Sequence, residues 1–267
     1  MFHPSVSPVP FSLISAIPPA AADALVVYKN QIAGTIPQEI DNLDKLTWID
    51  MAHNQIVGTI PDSFYTNPNL EEVIFKNNSI SGTISDFVGD LSKLKQFWAS
   101  FNKISGTIPS EFGKCINLRE LELQNNTMDG TIPNELGDME SLEFLSLESN
   151  QLRGTIPSRL FGQNIAGLRI LYLNDNKLTG PVPETYGRSP RLKDLWLNGN
   201  MLTGTLPIIA EGEFLFLSEN AAANADIVRG GGSTPPCACS SSSPIFLFCI
   251  HAPPPCLRLL PPTQRDC

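Results

Sequence analysis

The chain has 267 residues, 42% of them hydrophobic, and a formal net charge of −9. That apolar content is ample for one continuous core, and the acidic balance argues against nucleic acid, whose binders need a basic stripe. The tail after Asn220 has three Arg against two Asp, so residues 1–220 carry −10; an acidic body suits cationic or neutral partners and serves solubility equally well.

Residues 1–21 form an N-terminal segment. Phe11 to Ala22 is apolar with small residues near its end, as in a secretory signal, but no Lys or Arg precedes it and Pro8, Pro10, Pro18 and Pro19 interrupt it. A weak leader and an artefact of the reading frame both stay open. No stretch in the chain approaches the roughly 20 apolar residues of a membrane helix, so no membrane segment is expected in it.

From about residue 22 to 220 the chain repeats one pattern: LTWIDMAHNQIVGTIP from Leu46, LEEVIFKNNSISGTIS from Leu70, LKQFWASFNKISGTIP from Leu94, LRELELQNNTMDGTIP from Leu118, LEFLSLESNQLRGTIP from Leu142, LRILYLNDNKLTGPVP from Leu168 and LKDLWLNGNMLTGTLP from Leu192. An incomplete first copy ends at Pro37 and a degenerate last one reads Phe214 to Asn220. The Asn anchors are Asn30, Asn54, Asn78, Asn102, Asn126, Asn150, Asn176, Asn200 and Asn220; they define coils 1 to 9. A fixed period in this range means a solenoid. Two apolar residues around a variable one, as in Leu121-Glu122-Leu123, mark a half-buried strand. The Asn carries donors and an acceptor for backbone groups where the chain turns inward. The Gly allows a tight bend and the Pro fixes the start of the outer segment. No copy can bury its apolar side chains alone, so stacking makes the core.

This LxxLxLxxNxLxGxIP pattern resembles the plant-type leucine-rich repeat, over most of the chain. The resemblance implies a repeat solenoid of the α/β class, mostly β and loop: a right-handed curved coil with a parallel concave sheet of nine short strands, and a shorter second sheet from the Gly-x-Ile-Pro segment on the flank. Two groups of relatives are similar in function class: receptor-like ectodomains that capture peptide or protein ligands, and soluble inhibitors of secreted enzymes such as the polygalacturonase-inhibiting proteins. The paired-Cys N-terminal cap of the family is absent, which leaves the apolar end of the first copy uncovered.

Cys115 falls where Leu43 and Leu91 sit in other copies and reads as a buried thiol in a Leu slot. The other five cysteines lie in residues 221–267, a Gly-, Ser-, Pro- and Cys-rich tail. Their spacing matches no zinc site. A disulfide-bonded end cap and a disordered tail both stay open. Asn77-Asn78-Ser79 and Asn125-Asn126-Thr127 are glycosylation acceptors at Asn77 and Asn125, two copies apart on one edge of the coil.

The positions six, four and two before each Asn anchor face away from the core. They bring all three tryptophans of the chain to one side. An early cluster holds Trp48, Ile74 and Trp98; a late one holds Phe144, Ile170, Tyr172 and Trp196. Glu120, Glu122 and Glu148 lie between them, and Asp194 lies beside Trp196. Aromatics among acidic and amide groups suit the binding of a peptide or a sugar. The expected ligand-binding residues are therefore Trp48, Ile74, Trp98, Glu120, Glu122, Phe144, Glu148, Tyr172, Asp194 and Trp196, and a basic or amphipathic segment fits across them. Aromatics also favour exposed strand positions for purely structural reasons.

Glu120 and Glu122 could be read as paired glycosidase carboxylates, but nothing in the pattern desolvates one of them. No metal-binding, phosphate-binding or nucleophile motif occurs. No catalytic residue, metal or cofactor is expected, and the chain reads as non-enzymatic and extracellular or cell-surface. A file of Thr35, Thr59, Thr83, Thr107, Thr131, Thr155 and Thr205 raises ice binding as a minor alternative, beside carbohydrate or adhesion binding; the adjacent column, from Ala33 through Asp129 and Arg153 to Thr203, is not uniform.

Overall fold

The computed structural model describes residues 9–10, 22–189, 191–204 and 214–216. Residues 221–267, including the tail cysteines, and most of residues 1–21 lie outside the described residues.

Nine three-residue strands, Ala24–Val26, Trp48–Asp50, Glu72–Ile74, Gln96–Trp98, Glu120–Glu122, Phe144–Ser146, Ile170–Tyr172, Asp194–Trp196 and Phe214–Phe216, stack in parallel in chain order. The register keeps every column intact. Trp48 pairs with Glu72, Glu72 with Gln96, Gln96 with Glu120 and Glu120 with Phe144. The central residue of the strands from Ala24–Val26 to Asp194–Trp196, such as Leu121 or Leu145, points into the core and is buried. A one-residue slip would move each of these side chains to the other face, so the apolar alternation fixes the register.

The Asn anchors stitch neighbouring coils together. Asn126 Nδ2 donates to the carbonyls of Leu123 in its own coil and Ala99 in the preceding one, both at 3.0 Å. Its Oδ1 accepts from the Ile104 N–H at 2.9 Å. Asn102, Asn150, Asn176 and Asn200 repeat the arrangement. Just before each anchor the chain takes a left-handed step, at Lys29, His53, Asn77, Phe101, Asn125, Ser149 and Asp175, with φ between 52° and 59°. Its N–H then meets the next coil, as when Asn125 N–H donates to Glu148 O at 3.0 Å.

The second sheet runs up to the Gly of each copy rather than onward from it. Its strands are Ile32–Thr35, Gln55–Gly58, Ser79–Gly82, Lys103–Gly106 and Thr127–Met128, and it continues as a separate three-stranded piece of Arg153–Gly154, Lys177–Gly180 and Met201–Leu202. The expected Gly-x-Ile-Pro strand is thus shifted toward the Asn. The anchor Asn of the following coil holds the apolar N–H there, as Asn78 Oδ1 holds Ile56, whereas the Pro that ends the segment has no N–H to give. Val9–Pro10 pairs with Ile32 and Ala33, adding a strand to the edge of coil 1.

The remaining regular segments are 3₁₀ turns rather than α-helices. Seven are described, from Gln38–Asn42 to Glu184–Arg188, and six of them follow a Pro. Each drops an apolar residue into the core: Ile40, Phe64, Val88, Phe112, Leu136, Leu160 or Tyr186. Inside coils 3 to 5 the rings of Phe64, Phe75, Phe97 and Phe112 contact in sequence, with centroids 5.3–6.4 Å apart. Cys115 is fully buried and its Sγ lies 3.3 Å from Val88 O. Burial, with a smaller contribution from Asp90, pushes its thiol pKa up to about 12, so it stays a protonated, inert group.

Candidate ligand-binding face

The outward residues of the first sheet form a concave surface with three zones. In the early zone Trp48 is 39% exposed, and Trp98 is half-buried with its indole Nε1 enclosed and unpartnered. Ile74 departs from the sequence expectation. It stands in the outward column between Asp50 and Trp98 but is only 8% exposed, so it backs the early zone and offers a ligand little surface.

The late zone is a continuous aromatic diagonal. Phe144 meets Tyr172 edge-on at 5.7 Å, and Tyr172 meets Trp196 at 5.1 Å. Trp196 is the most exposed of the three, at 36%; Ile170 and Asp194 flank them, half-buried. Burial raises the Tyr172 hydroxyl pKa, and the charges of Asp194 and Glu148 add to the effect.

The acidic middle is more structured than sequence alone conveys. Glu122 Oε2 accepts from Gln124 Nε2 at 3.1 Å, Ser100 Oγ at 3.3 Å and Lys76 Nζ at 3.4 Å. Lys76 comes from two coils away, and nothing in the local pattern announces that contact. Glu122 is therefore a paired charge, while Glu120 stands half-buried on the same strand. Glu148, one coil on, is held above the usual carboxylate range by burial; the Asn174 amide opposes this, and Asp175 and Glu122 reinforce it. Three further groups were not singled out in sequence because they are small or neutral. Gln124 Oε1, Ser146 Oγ and Asn174 Oδ1 are buried with no hydrogen-bond partner in the protein.

On the flank, Thr35, Thr59, Thr83, Thr107, Thr131 and Thr155 form an exposed file, and Thr205 lies outside the described residues. The methyls of all six lie over the Gly of the next coil: a Cβ at Gly58 would sit 2.6 Å from Thr35 Cγ2. Beside this file Val57, Asp129 and Arg153 project into solvent, so the surface is uneven. Asn77 and Asn125 occupy the left-handed step two coils apart, both half-exposed. Among the described residues no group of His, Cys, Asp and Glu could hold a metal ion, and no helix is long and apolar enough to cross a membrane.

Comparison with known proteins agrees with this architecture. The leucine-rich repeat family model matches residues 99–152, and a second leucine-rich repeat model matches 45–67 and 167–188. No curated protein sequence matches the chain. Among solved structures, the plant peptide hormone receptor RGFR1 in complex with RGF2 is 30% identical, with a TM-score of 0.67 over 69% of this chain and 29% of that one. The Arabidopsis receptor kinase HAESA, in complex with the peptide hormone IDA and the co-receptor SERK1, is 31% identical, with a TM-score of 0.67 over 69% of this chain and 30% of that one. A TDR receptor is 26% identical, with a TM-score of 0.66 over 74% and 39%. The chain spans about a third of the length of these receptors. With its repeat register, Asn ladder and paired sheets, the chain is a leucine-rich repeat protein of the plant type.

Proposed function

We propose that this protein is a non-enzymatic, extracellular recognition module that binds a peptide or protein segment across the concave sheet, in the manner of a receptor-like ectodomain. One observation carries the reading: Trp48, Trp98, Phe144, Tyr172 and Trp196 share one sheet face and flank a carboxylate-bearing centre. Large aromatic rings are seldom left in water without cause, and they dominate binding energy at interfaces. The solved likenesses support the reading, since two of them are receptors in complex with peptide hormones. The ligand that fits is amphipathic and basic, with apolar groups over the two aromatic zones and positive charge over Glu120 and Glu148. Residues 22–220 are the folding unit of this module. Asn77 and Asn125 would carry glycans on one rim, clear of the aromatic zones.

The test is selection of peptides from a random display library on the purified wild-type protein. Enriched peptides should be basic and aromatic or aliphatic. Trp98→Ala with Trp196→Ala should lower affinity for them at least tenfold, the loss of one or two interface anchors of about 2 kcal/mol each, with an unchanged melting temperature. Trp48→Ala with Trp196→Ala serves as a second pair, because Trp48 is more exposed than Trp98. Undiminished binding by both pairs would overturn the proposal.

A further inference from the structure

The middle of the concave face holds a set of hydrogen-bonding groups that the fold leaves half used. Gln124, Glu148 and Asn174 occupy the same position in coils 5, 6 and 7. The backbone fixes this: Asn125 N–H donates to Glu148 O and Ser149 N–H to Asn174 O, both at 3.0 Å. Coils stack about 4.8 Å apart, so the three side chains stand in a short file. Ser146 lies beside them, paired in the ladder with Glu122 on one side and Tyr172 on the other.

The unused atoms are defined by where the donors go. Gln124 Nε2 is committed to Glu122, which leaves the buried Oε1 with no partner. Asn174 Nδ2 is committed to Asp175 Oδ2 at 2.6 Å, and the same amide also serves Glu148, which leaves Oδ1 with no partner. Ser146 Oγ is likewise unpartnered. The three residues are 8%, 5% and 1% exposed. Leaving a buried polar group unpaired is costly, so three in one place require an explanation. Each can accept a hydrogen bond, and beside them stands the Glu148 carboxylate, which only accepts when ionised. Lys76, the cation nearest in the network, is spent on Glu122.

Resting on the reading of the concave face as a ligand site, we infer that Gln124, Ser146, Glu148 and Asn174 form a subsite for one side-chain guanidinium of the ligand, stacked against Tyr172. A guanidinium is a planar donor with five N–H groups and no acceptor. It matches a patch that offers acceptors in several directions. Its charge offsets the crowding of Glu148 by Asp175 and Glu122. Its flat face suits the Tyr172 ring, at the centre of the Phe144–Tyr172–Trp196 diagonal. A lysine ammonium is a compact point charge and reaches fewer of these acceptors. Of these four residues, sequence reasoning pointed only to Glu148.

The experiment uses N-acetyl-arginine amide on the full chain, with N-acetyl-citrulline amide as the uncharged isostere and N-acetyl-lysine amide as the alternative cation. Binding is followed by NMR through the side-chain NH₂ signals of Gln124 and Asn174. The arginine compound should shift both signals with saturable, millimolar affinity, and citrulline should leave them in place. Glu148→Gln and Ser146→Val should each weaken arginine binding at least fivefold while the remaining backbone spectrum is retained. Equal response to arginine and citrulline, lysine binding as tight as arginine, or no shift of these signals would each overturn the subsite. Failure here with intact selection of peptides through Trp98 and Trp196 removes the subsite alone. Arginine binding with no aromatic dependence of peptide capture removes the broader reading instead.

Discussion

Asn126 makes four hydrogen bonds to backbone groups, in its own coil and the preceding one. Replacing it with Ala leaves the buried Ile104 N–H without a partner and removes one of two donors from the Ala99 carbonyl, which keeps Asn102 Nδ2 at 3.1 Å. At about 1–3 kcal/mol for one such group, Asn126→Ala is expected to cost about 2 kcal/mol, read as a lower urea midpoint. Asn126→Asp, which keeps the acceptor and loses the donors, should fall between. Glu148 behaves in the opposite sense. Its folded-state pKa is raised, chiefly by burial, so between the unfolded and folded values the native state binds more protons than the unfolded state. Stability therefore falls as pH rises through that window, and the penalty is fully present above the folded pKa. Glu148→Gln should be more stable than wild type at pH 7, and the difference should vanish as pH drops below the unfolded value of a glutamate. A pH series of thermal melts on both proteins checks the sign; a variant less stable at pH 7 would contradict it.

Among the elements, the second sheet depends on its glycines for two separate reasons. Gly106 has φ of 75°, which an L side chain adopts at a cost, and a Cβ there would lie 2.7 Å from Thr83 Cγ2. Gly106→Ala is expected to destabilise by about 2 kcal/mol or more, from left-handed strain and overpacking together. Adding Thr83→Ser removes the methyl and should restore only the packing share, a non-additivity that a double-mutant cycle isolates. Full restoration would mean that backbone strain is negligible there. The concave strands carry no such requirement at their outward positions, which is why those positions are free to hold Trp, Tyr, Glu and Ser in a sequence otherwise tightly patterned.

Across the whole molecule, each coil packs its core chiefly on its neighbours, so stability is close to a sum of coil and interface contributions. The Phe64–Phe75–Phe97–Phe112 contacts lie in coils 3 to 5. Hydrogen exchange should therefore be slowest there and quicken toward coil 1, where Asn30 donates only within its own coil in the described bonds and the edge is covered by the two residues Val9–Pro10. Uniform protection from coil 1 to coil 8 would show that the unit opens only as a whole.

The period of the sequence by itself determined the coil, the strand register and the face on which Trp48, Trp98, Tyr172 and Trp196 stand. A repeat that fixes Asn, Gly and alternating apolar positions leaves a stacked chain one phase in which all of them are satisfied. The fully buried Cys115 and the outward columns were legible for the same reason. Tertiary structure alone decided which outward groups are available. Ile74 is buried, Lys76 reaches Glu122 across 46 residues of chain, and the amides of Gln124 and Asn174 spend their donors and keep their acceptors. Those outcomes depend on competition between side chains of different coils for the same partners. A repeat pattern records each residue's place in its own turn, and carries no term for what the turns above and below have already claimed.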